Sequence, residues 1–469
     1  MKIHVLLIFG AMLILGTLSN TLLARSGFAA PAKAASADAV ISWNGIAQRA
    51  AITVAKQFQT QSLIYISFAQ AAVYDAVVAI EGGYQPYKLN LTPRPNASVD
   101  AAVAAAAHDI LVHYFPAQQA DLDKDYANAL AAIPDGPAKQ DGIKVGQESA
   151  AGIIALRQGD GLEADIGFQM PAPGPGVWQL PPDVKPQTPW VSELRPFMLT
   201  NPEQFRPSPP PALTSSEFAR DFNEVKSLGY ISSTVRTAEQ TDVAQFWSAN
   251  SIVQYNTVFK TIAQKQGLNA AQAARLYAMG NLTGADALIA CFDAKYHYLF
   301  WRPQFAIPQA NTAGNPNITA DPNWKPLIAS PNHPEYPSAH GCYSSAEAEA
   351  LRAFLGTTNI NVDITSSAPN LRQPTRHFAT LNELVSEIEN VRVWQGIHFR
   401  NSVIVGVNLG RTVGQWTLAR YFQPTPAAPS TLPTTGAASQ ADSLWWIAVL
   451  LVVALIVGGL MLRRGHRHV

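Results

Sequence analysis

Charge and cysteine are both scarce in this chain. Charged residues make up 14% of its 469 residues, well below the roughly 25% of an ordinary soluble protein. Lysine plus arginine and aspartate plus glutamate number 33 each, so there is no overall basic field, and we expect no nucleic-acid partner. The two cysteines, Cys291 and Cys342, are too few for a disulfide scaffold and match no zinc motif. Apolar burial must therefore provide most of the stability of the core.

Long alternating strand patterns, internal repeats, a Gly-rich phosphate loop and a GxSxG motif are missing from the sequence as well. Ala-rich amphipathic stretches predict helices instead. They lie at residues 45–58, 62–81, 98–114, 117–133, 138–158, 214–229, 236–265, 268–300, 341–355 and 379–421. Pro-rich connectors at 171–212 and 302–337 separate them, and the first is long enough that we expect it to lie across the helices. The body is therefore predicted to be all-α, with its helices packed as bundles.

The two ends of the chain have the composition of targeting segments. Residues 1–35 are typical of a signal peptide, with the positive Lys2, an apolar run at 5–18 and a small-residue cleavage pattern at 32–34. An uncleaved anchor helix is the alternative, but the apolar run is short for a membrane span.

At the other end, residues 444–462 are uncharged and long enough to cross a bilayer, and the basic tail 463–469 predicts a cytoplasmic C-terminus. The Pro/Thr/Ala-rich linker 426–443 contains Leu-Pro-Thr-Thr-Gly. This order resembles a Gram-positive sortase sorting signal, and a plain tail anchor is the alternative. In either case we expect the body, residues 36–425, to lie outside the cell, anchored to the membrane or the wall, with sortase as a potential partner.

Three clusters of polar residues stand out in the second half. The first is Lys295, followed seven positions later by Arg302 and then Pro303. Seven positions on a helix advance two turns with about 20° of drift, so both cations would share one face. Two cations on one face within an apolar segment favour an anion site, although two solvated surface cations are the simpler interpretation of this pair alone.

The second cluster runs from Tyr336 to Gly341 and contains Ser338, Ala339 and His340. A proline-led loop here enters a helix, whose first N–H groups and positive dipole end can bind an anion, while His340 can transfer protons near neutral pH. The third cluster is Arg392 and His398, with Gly396 between them. We expect a break at Gly396, because an unbroken helix would hold the two side chains about 120° apart.

Together the clusters supply three cations, a hydroxyl group, helix-start amides and two histidines, an inventory that suits a tetrahedral oxyanion. In this order, Lys-x6-Arg-Pro, Pro-Ser-x-His and Arg-x5-His resemble the three-part signature of the superfamily of vanadium-dependent haloperoxidases and type-2 phosphatidic-acid phosphatases, which includes acid phosphatases. Residues 41–44, 68–75 and 84–87 also look like those of secreted bacterial members. The resemblance covers most of residues 40–422 and implies the helical-bundle fold of that superfamily.

The resemblance implies a role for each matching residue. Lys295, Arg302 and Arg392 match the side chains that bind the equatorial oxygens of vanadate. Ser338 matches the hydroxyl donor to the oxyanion, with Ala339 beside it. His340 matches the acid–base histidine, and His398 matches the vanadium ligand, which is the phosphorylated nucleophile in the phosphatases.

Two positions depart from the family pattern. Ala339 stands where the family usually has glycine, and it can replace glycine only if its backbone φ is compatible with a side chain. Ser402 stands where relatives often carry an aspartate that orients the last histidine. Both departures put the catalytic strength of this site in doubt.

Two enzyme chemistries use the same residues. The favoured one is oxidation of a halide by hydrogen peroxide with vanadate as cofactor, and the alternative is hydrolysis of a phosphomonoester through a phosphohistidine at His398. His333 favours a bromide-type peroxidase, because chloride-oxidising relatives tend to have phenylalanine there and bromide-oxidising ones histidine. A wall-displayed binding protein with an inactive site is a third interpretation.

A disulfide between Cys291 and Cys342 is a further expectation. Cys291 precedes Lys295 by four residues and Cys342 follows His340 by two, so the cysteines would be neighbours if Lys295 and His340 line one pocket. An oxidising exterior favours pairing of nearby thiols, while two small buried side chains are the alternative.

Overall fold

A computed structural model of the chain describes residues 35–425. The predicted signal peptide, linker with its Leu-Pro-Thr-Thr-Gly motif, transmembrane helix and basic tail lie outside the described residues, apart from Ala35. They remain predictions.

The regular secondary structure in the described part of the chain is almost wholly helical. In chain order they are α1 (Asp38–Gln48), extended by a π-helical turn (Arg49–Val54), α2 (Gln59–Glu81), α3 (Val99–Tyr114), α4 (Gln119–Ala131), α5 (Pro137–Arg157), α6 (Ser216–Leu228), α7 (Ala238–Phe246), α8 (Ser251–Lys265), α9 (Ala270–Tyr298), α10 (Pro303–Ala306), α11 (Ala339–Leu355), α12 (Leu381–Trp394) and α13 (Arg400–Leu418). Short 3-10 turns lie at Pro116–Gln118, Pro189–Glu193, Pro202–Phe205 and Ala310–Thr312. The all-α prediction is confirmed.

Two of the predicted helices are each divided in the structure. The stretch 236–265 forms α7 and α8, because Asn250 caps a new helix by accepting N–H groups of Ile252 and Val253. The stretch 379–421 forms α12 and α13, separated at Gly396 as expected, where φ is +79°. Helical periodicity in the sequence continues across such breaks. Periodicity alone therefore predicts the helical segments but not where one helix ends and the next begins.

A two-stranded antiparallel hairpin, β1 (Asn359–Thr365) and β2 (Thr375–Thr380), was not predicted. Ile360, Val362 and Ile364 do alternate with polar residues, which is the strand period of two. The run is only seven residues long, so the pattern is too short to distinguish from a loop. The hairpin lies between α11 and α12, away from the predicted site residues.

Helix α2 forms the middle of the core. It packs against α3, α5 and α9, and nearly all of its residues are buried. By length and composition α2 could cross a membrane, but 94% of its apolar window is buried inside the fold. Its hydrophobicity therefore serves the interior of the helical bundle.

Helices α11 and α13 approach each other until their backbones touch. A Cβ atom on Gly406 would lie 2.5 Å from the Ser338 carbonyl oxygen, and one on Gly410 would lie 1.9 Å from the Cys342 carbonyl oxygen. From the other side, a Cβ on Gly341 would lie 2.9 Å from the Val403 carbonyl oxygen. Glycine is required at this seam because any side chain would separate the two helices.

A buried carboxylate holds the long Pro-rich connector on the helices. Asp286 of α9 accepts the backbone N–H groups of Phe197, Met198 and Leu199 at 2.6, 2.7 and 2.9 Å. These bonds satisfy backbone donors that would otherwise be buried without partners. The prediction that this connector lies across the helices is confirmed.

Candidate active site

Lys295 and Arg302 reach one site by a route that differs from the predicted one. Helix α9 ends at Tyr298, and Leu299 adopts a left-handed φ of +48°. Arg302 is the N-cap of α10, with extended backbone, because Pro303 disfavours a helical conformation for the residue before it. The prediction of one continuous helical face was therefore wrong, since a tight reversal brings the two cations together.

Both cations are fully buried and bind the backbone of the loop before α11. Lys295 Nζ donates to the carbonyl oxygens of Pro334 and Glu335 at 2.8 and 3.0 Å. Arg302 Nε donates to the carbonyl of His333 at 3.0 Å, and its Nη1 donates to that of Ile397 at 2.8 Å. The two side chains thus join the end of α9 to the loop before α11 and to the loop before α13.

The predicted helix start at the second cluster is present. Ser338 is the N-cap of α11, and its hydroxyl accepts the N–H of Gly341 at 3.5 Å. Ala339 is the first residue of that helix and is not among the residues with positive φ, so this position does not need glycine. As the first helical residue, Ala339 has an N–H with no intrahelical acceptor, which leaves it available to an anion.

The break at Gly396 brings Arg392 and His398 to the same cavity, as predicted. Arg392 lies in the last turn of α12, and His398 lies just before α13. A Cβ on Gly396 would lie 2.4 Å from the Gly229 carbonyl oxygen, so both the positive φ and the packing demand glycine.

These residues surround a cavity of about 100 Å³, far above the roughly 10–15 Å³ that one water molecule needs on this measure. Among the predicted residues, those that line it are His333, Ala339, His340, Arg392 and His398. Lys295, Arg302 and Ser338 lie next to this wall. The rest of the lining comes from the first turns of α2 and α8, with Gln59, Thr60, Ser251 and Ile252, and from Gln187, Leu288, Pro331 and Tyr343.

Burial dominates the electrostatics of the cavity. It lowers the pKa of Lys295 to about 8, that of Arg302 to about 10 and that of Arg392 to about 9. Burial also lowers the pKa of His340 and His398 well below the usual range, and the neighbouring cations add to the effect. The site therefore holds cationic side chains and neutral imidazoles at neutral pH.

His398 has partners on both ring nitrogens, and they determine its tautomer. Arg302 Nη1 lies 3.2 Å from Nε2, and a guanidinium can only donate. Nε2 must therefore carry a lone pair, and the proton lies on Nδ1, which faces Glu335 Oε1 at 2.9 Å. An unprotonated imidazole nitrogen is the form that can act as a nucleophile or as a metal ligand.

Glu335 is the residue that the sequence interpretation missed. It is fully buried, and burial raises the pKa of its carboxyl group to about 7 against the opposing effect of Arg302 and Lys295. Its position in the Pro-rich loop, three residues before Ser338, follows no periodic pattern. The available signal in the sequence was an acid in the loop between two cationic clusters. Carboxylates are almost never fully buried without partners, so an acid in an apolar loop indicates a nearby cation or donor.

The donor set fits a tetrahedral oxyanion. Buried arginines bind such anions in bidentate fashion, and Arg392 Nε has no hydrogen-bond partner among residues 35–425. His340 Nε2 likewise has no partner within the described chain. Since a buried polar atom without a partner is costly, both atoms indicate a ligand that completes the site.

The cysteines are neighbours but are not bonded. Cys291 and Cys342 are free, buried thiols in the described part of the chain. The Cys291 thiol lies 3.7 Å from the Pro337 carbonyl oxygen and donates to it. The predicted disulfide is wrong for this structure, in which the two side chains act as small apolar residues between α9 and α11.

Comparison with known proteins agrees with this geometry. Residues 275–425 match the family described as the VCPO second helical-bundle domain, and this range contains every predicted site residue. The chain is 25% identical over 268 residues to vanadium chloroperoxidase of Curvularia inaequalis, an alignment that covers 43% of each protein. The chain thus spans less than half the length of this curated relative.

Solved structures share the fold over most of the chain. A bacterial vanadium-dependent iodoperoxidase superposes with a TM-score of 0.69 at 23% identity, covering 85% of this chain and 99% of that one. The apo form of a bacterial vanadium-dependent chloroperoxidase superposes with a TM-score of 0.65 at 18% identity, covering 77% and 94%. Residues 275–425 thus match a vanadium chloroperoxidase domain family, and the chain shares its fold with bacterial vanadium haloperoxidases, which supports the superfamily that the sequence signature resembles.

Proposed function

We propose that the protein is a vanadate-dependent haloperoxidase that oxidises a halide with hydrogen peroxide. The observation that carries the proposal is the lone pair on His398 Nε2, held 3.2 Å from Arg302 in a wall that also contains Arg392 and His340. Bound vanadate would act there as a Lewis acid that activates hydrogen peroxide towards the halide.

The side chains divide the work of binding and proton transfer. His398 would hold the vanadium through Nε2, and Lys295, Arg302 and Arg392 would neutralise the oxyanion charge. Ser338 and the N–H of Ala339 would add hydrogen bonds at the helix start. His340, neutral and with Nε2 unpaired in the described structure, would take and return a proton in the cavity.

We also propose bromide as the preferred halide, on the basis of His333. Its ring packs on Phe292, with centroids 5.1 Å apart. Its Nδ1 lies 3.1 Å from Arg302 Nη2, which also donates to the Pro334 carbonyl. Nδ1 also lies 3.2 Å from the Pro334 carbonyl oxygen, so it faces both a donor and an acceptor. In the tautomer that accepts from Arg302, the proton lies on Nε2, and this N–H at the cavity wall would meet an anionic halide.

A vanadate titration tests the reaction class. The protein is freed of bound anions, and then oxidation of bromide by peroxide and cleavage of a chromogenic phosphomonoester are measured as vanadate is added. A peroxidase gains activity with vanadate in a saturable way and has little phosphatase activity without it. Phosphomonoester cleavage that vanadate inhibits would support the phosphatase alternative, and binding without either activity would support an inactive site.

The terminal segments support an extracellular, tethered location for this activity. A signal peptide, an apolar span and a basic tail would place the body outside the cell. Protease treatment of intact cells tests this proposal, because an exposed catalytic body is cleaved while a cytoplasmic control protein is not.

A further inference from the structure

In the described part of the chain, Glu335 provides the one carboxyl group that is in direct contact with His398. Its Oε1 accepts two N–H groups, from His398 Nδ1 and from the backbone of Phe399, both at 2.9 Å. Two donors on one oxygen restrain the carboxyl group beside the imidazole ring. The ring and the backbone that follows it are therefore oriented by the same atom.

We propose that Glu335 is the positioning residue of the site: it keeps the His398 proton on Nδ1 and orients the unprotonated Nε2 towards the oxyanion. This inference rests on the proposed function only in naming vanadate as the oxyanion.

The loop geometry explains how Glu335 can contact His398 although the two residues are far apart in the sequence. Lys295 Nζ binds the backbone carbonyl of Glu335 at 3.0 Å, and the Ser402 hydroxyl binds the same carbonyl at 3.3 Å. The backbone of Glu335 is thus held between the end of α9 and the first turn of α13. With the backbone held in this way, the side chain reaches His398.

Ser402 provides an independent means of testing this role. It lies one helical turn after His398, and its hydroxyl oxygen is 3.4 Å from His398 Nδ1. A carboxylate introduced at position 402 would reach the same nitrogen. The structure therefore offers a second position from which the lost contact can be restored.

Partners of this kind typically change ligand affinity 10- to 100-fold when they are removed. We expect E335A and E335L to lose that much vanadate affinity, with leucine filling the space that alanine leaves empty. E335Q should stay closer to the wild type because its amide oxygen can accept the same two N–H groups. The double variant E335A/S402D should recover at least tenfold over E335A.

The experiment uses the full-length chain and two measurements. Vanadate affinity is obtained by equilibrium titration, and the tautomer of His398 is obtained by 15N NMR of histidine-labelled protein, assigned with H398A. Wild type and E335Q should show Nδ1 protonated, E335A or E335L a mixture, and E335A/S402D a return to the Nδ1 form. Urea unfolding shows whether E335A and E335L are folded, and one folded variant of the two is sufficient for the test.

The outcomes separate this proposal from the proposed function. Unchanged affinity and an unchanged tautomer in a folded removal variant would overturn the role of Glu335. Failure of the double variant to improve on E335A in both measurements would do the same. If the wild type does not bind vanadate, the proposed function fails, and the tautomer series still decides whether Glu335 positions His398.

Discussion

At the scale of single residues, the two histidines of the cavity differ in what surrounds them. His398 has a partner on each ring nitrogen, whereas His340 Nε2 has none in the described chain. A ring held on both sides suits a ligand, which must keep one orientation. A ring with a free nitrogen at the cavity suits a group that exchanges a proton.

This difference predicts distinct defects in the two alanine variants. H398A should abolish vanadate binding, because His398 is the residue assigned to hold the vanadium through Nε2. H340A should lose turnover by about 10²- to 10⁴-fold, the usual contribution of an acid–base group, while its vanadate affinity stays within about tenfold of the wild type. Equilibrium titration together with peroxidase rates measures both effects. An equal loss of vanadate affinity in the two variants would contradict the assigned roles.

The H333F variant tests the proposed halide contact. Phenylalanine keeps an aromatic ring against Phe292 but removes the N–H at the cavity wall. A hydrogen bond to a charged group contributes about 1.5–3 kcal/mol, so kcat/KM for bromide should fall by roughly tenfold or more. The ratio of chloride to bromide oxidation should rise. Steady-state rates with the two halides provide the measurement, and an unchanged ratio would remove His333 from halide selection.

Among elements, the connection between α12 and α13 depends on a close contact of two glycines. Gly396 has positive φ and lies against Gly229, where a Cβ would be 2.4 Å from the carbonyl oxygen. G396A should therefore cost more than the roughly 1–2 kcal/mol of a left-handed alanine, and it should also weaken vanadate binding by moving His398.

Gly167 offers a matched control. Its φ is +63°, and a Cβ there would meet nothing within 4 Å. G167A should show the conformational cost alone, with no change in vanadate affinity. Urea unfolding and vanadate titration of both variants make the comparison, and equal effects in the two would disprove a specific role for the Gly396–Gly229 contact.

Helix α11 carries a buried acid that the proposed chemistry does not use. Glu347 approaches α9 at two glycines: a Cβ on Gly284 would lie 2.5 Å from Glu347 Oε1, and one on Gly280 would lie 3.0 Å from Oε2. Burial raises the pKa of this carboxyl group from 4.5 to about 8, and Tyr343 opposes the shift. The acid is therefore protonated in the folded protein at neutral pH and ionised in the unfolded chain.

This shift predicts a pH dependence of stability. Between about pH 4.5 and 8 the folded state binds a proton that the unfolded state has lost, so the free energy of unfolding falls as pH rises. The loss can reach a few kcal/mol at about 1.4 kcal/mol per unit of pKa shift. E347Q should remove this part of the slope, while E193Q at an exposed position should not. Urea midpoints at pH 5 and pH 8 test it, and parallel slopes for wild type and E347Q would count against the prediction.

For the whole molecule, the sequence predicted most of the helices and the residues that the structure gathers around the cavity, but not how these residues meet. Lys295 and Arg302 both bind the loop before α11, yet the left-handed Leu299 between them has no sequence signal, since leucine rarely adopts that conformation. Glu335 was missed because its partner is 63 positions away. Such contacts are set by tertiary packing, which periodicity and motif spacing do not encode.

Anion binding should stabilise the entire fold, because the cavity joins α9, α11, α12 and the start of α13. A ligand that binds only the folded state adds about 2.7 kcal/mol at 100 times its Kd. Vanadate and orthophosphate should both raise the urea midpoint, and sulfate at matched ionic strength controls for salt. H398A should lose the vanadate effect. No shift with either anion would contradict an oxyanion site.

Because of the glycine seam between α11 and α13, different parts of the cavity wall tolerate substitutions to different degrees. Ser338 is held against α13 by backbone contact, so substitutions on that side would move the reacting groups themselves. Gln59 and Thr60 of α2 and Ser251 and Ile252 of α8 also line the cavity, but they lie outside this seam. Mutational libraries aimed at new organic acceptors should therefore be concentrated in those two helix starts, where diversity costs the reaction centre least.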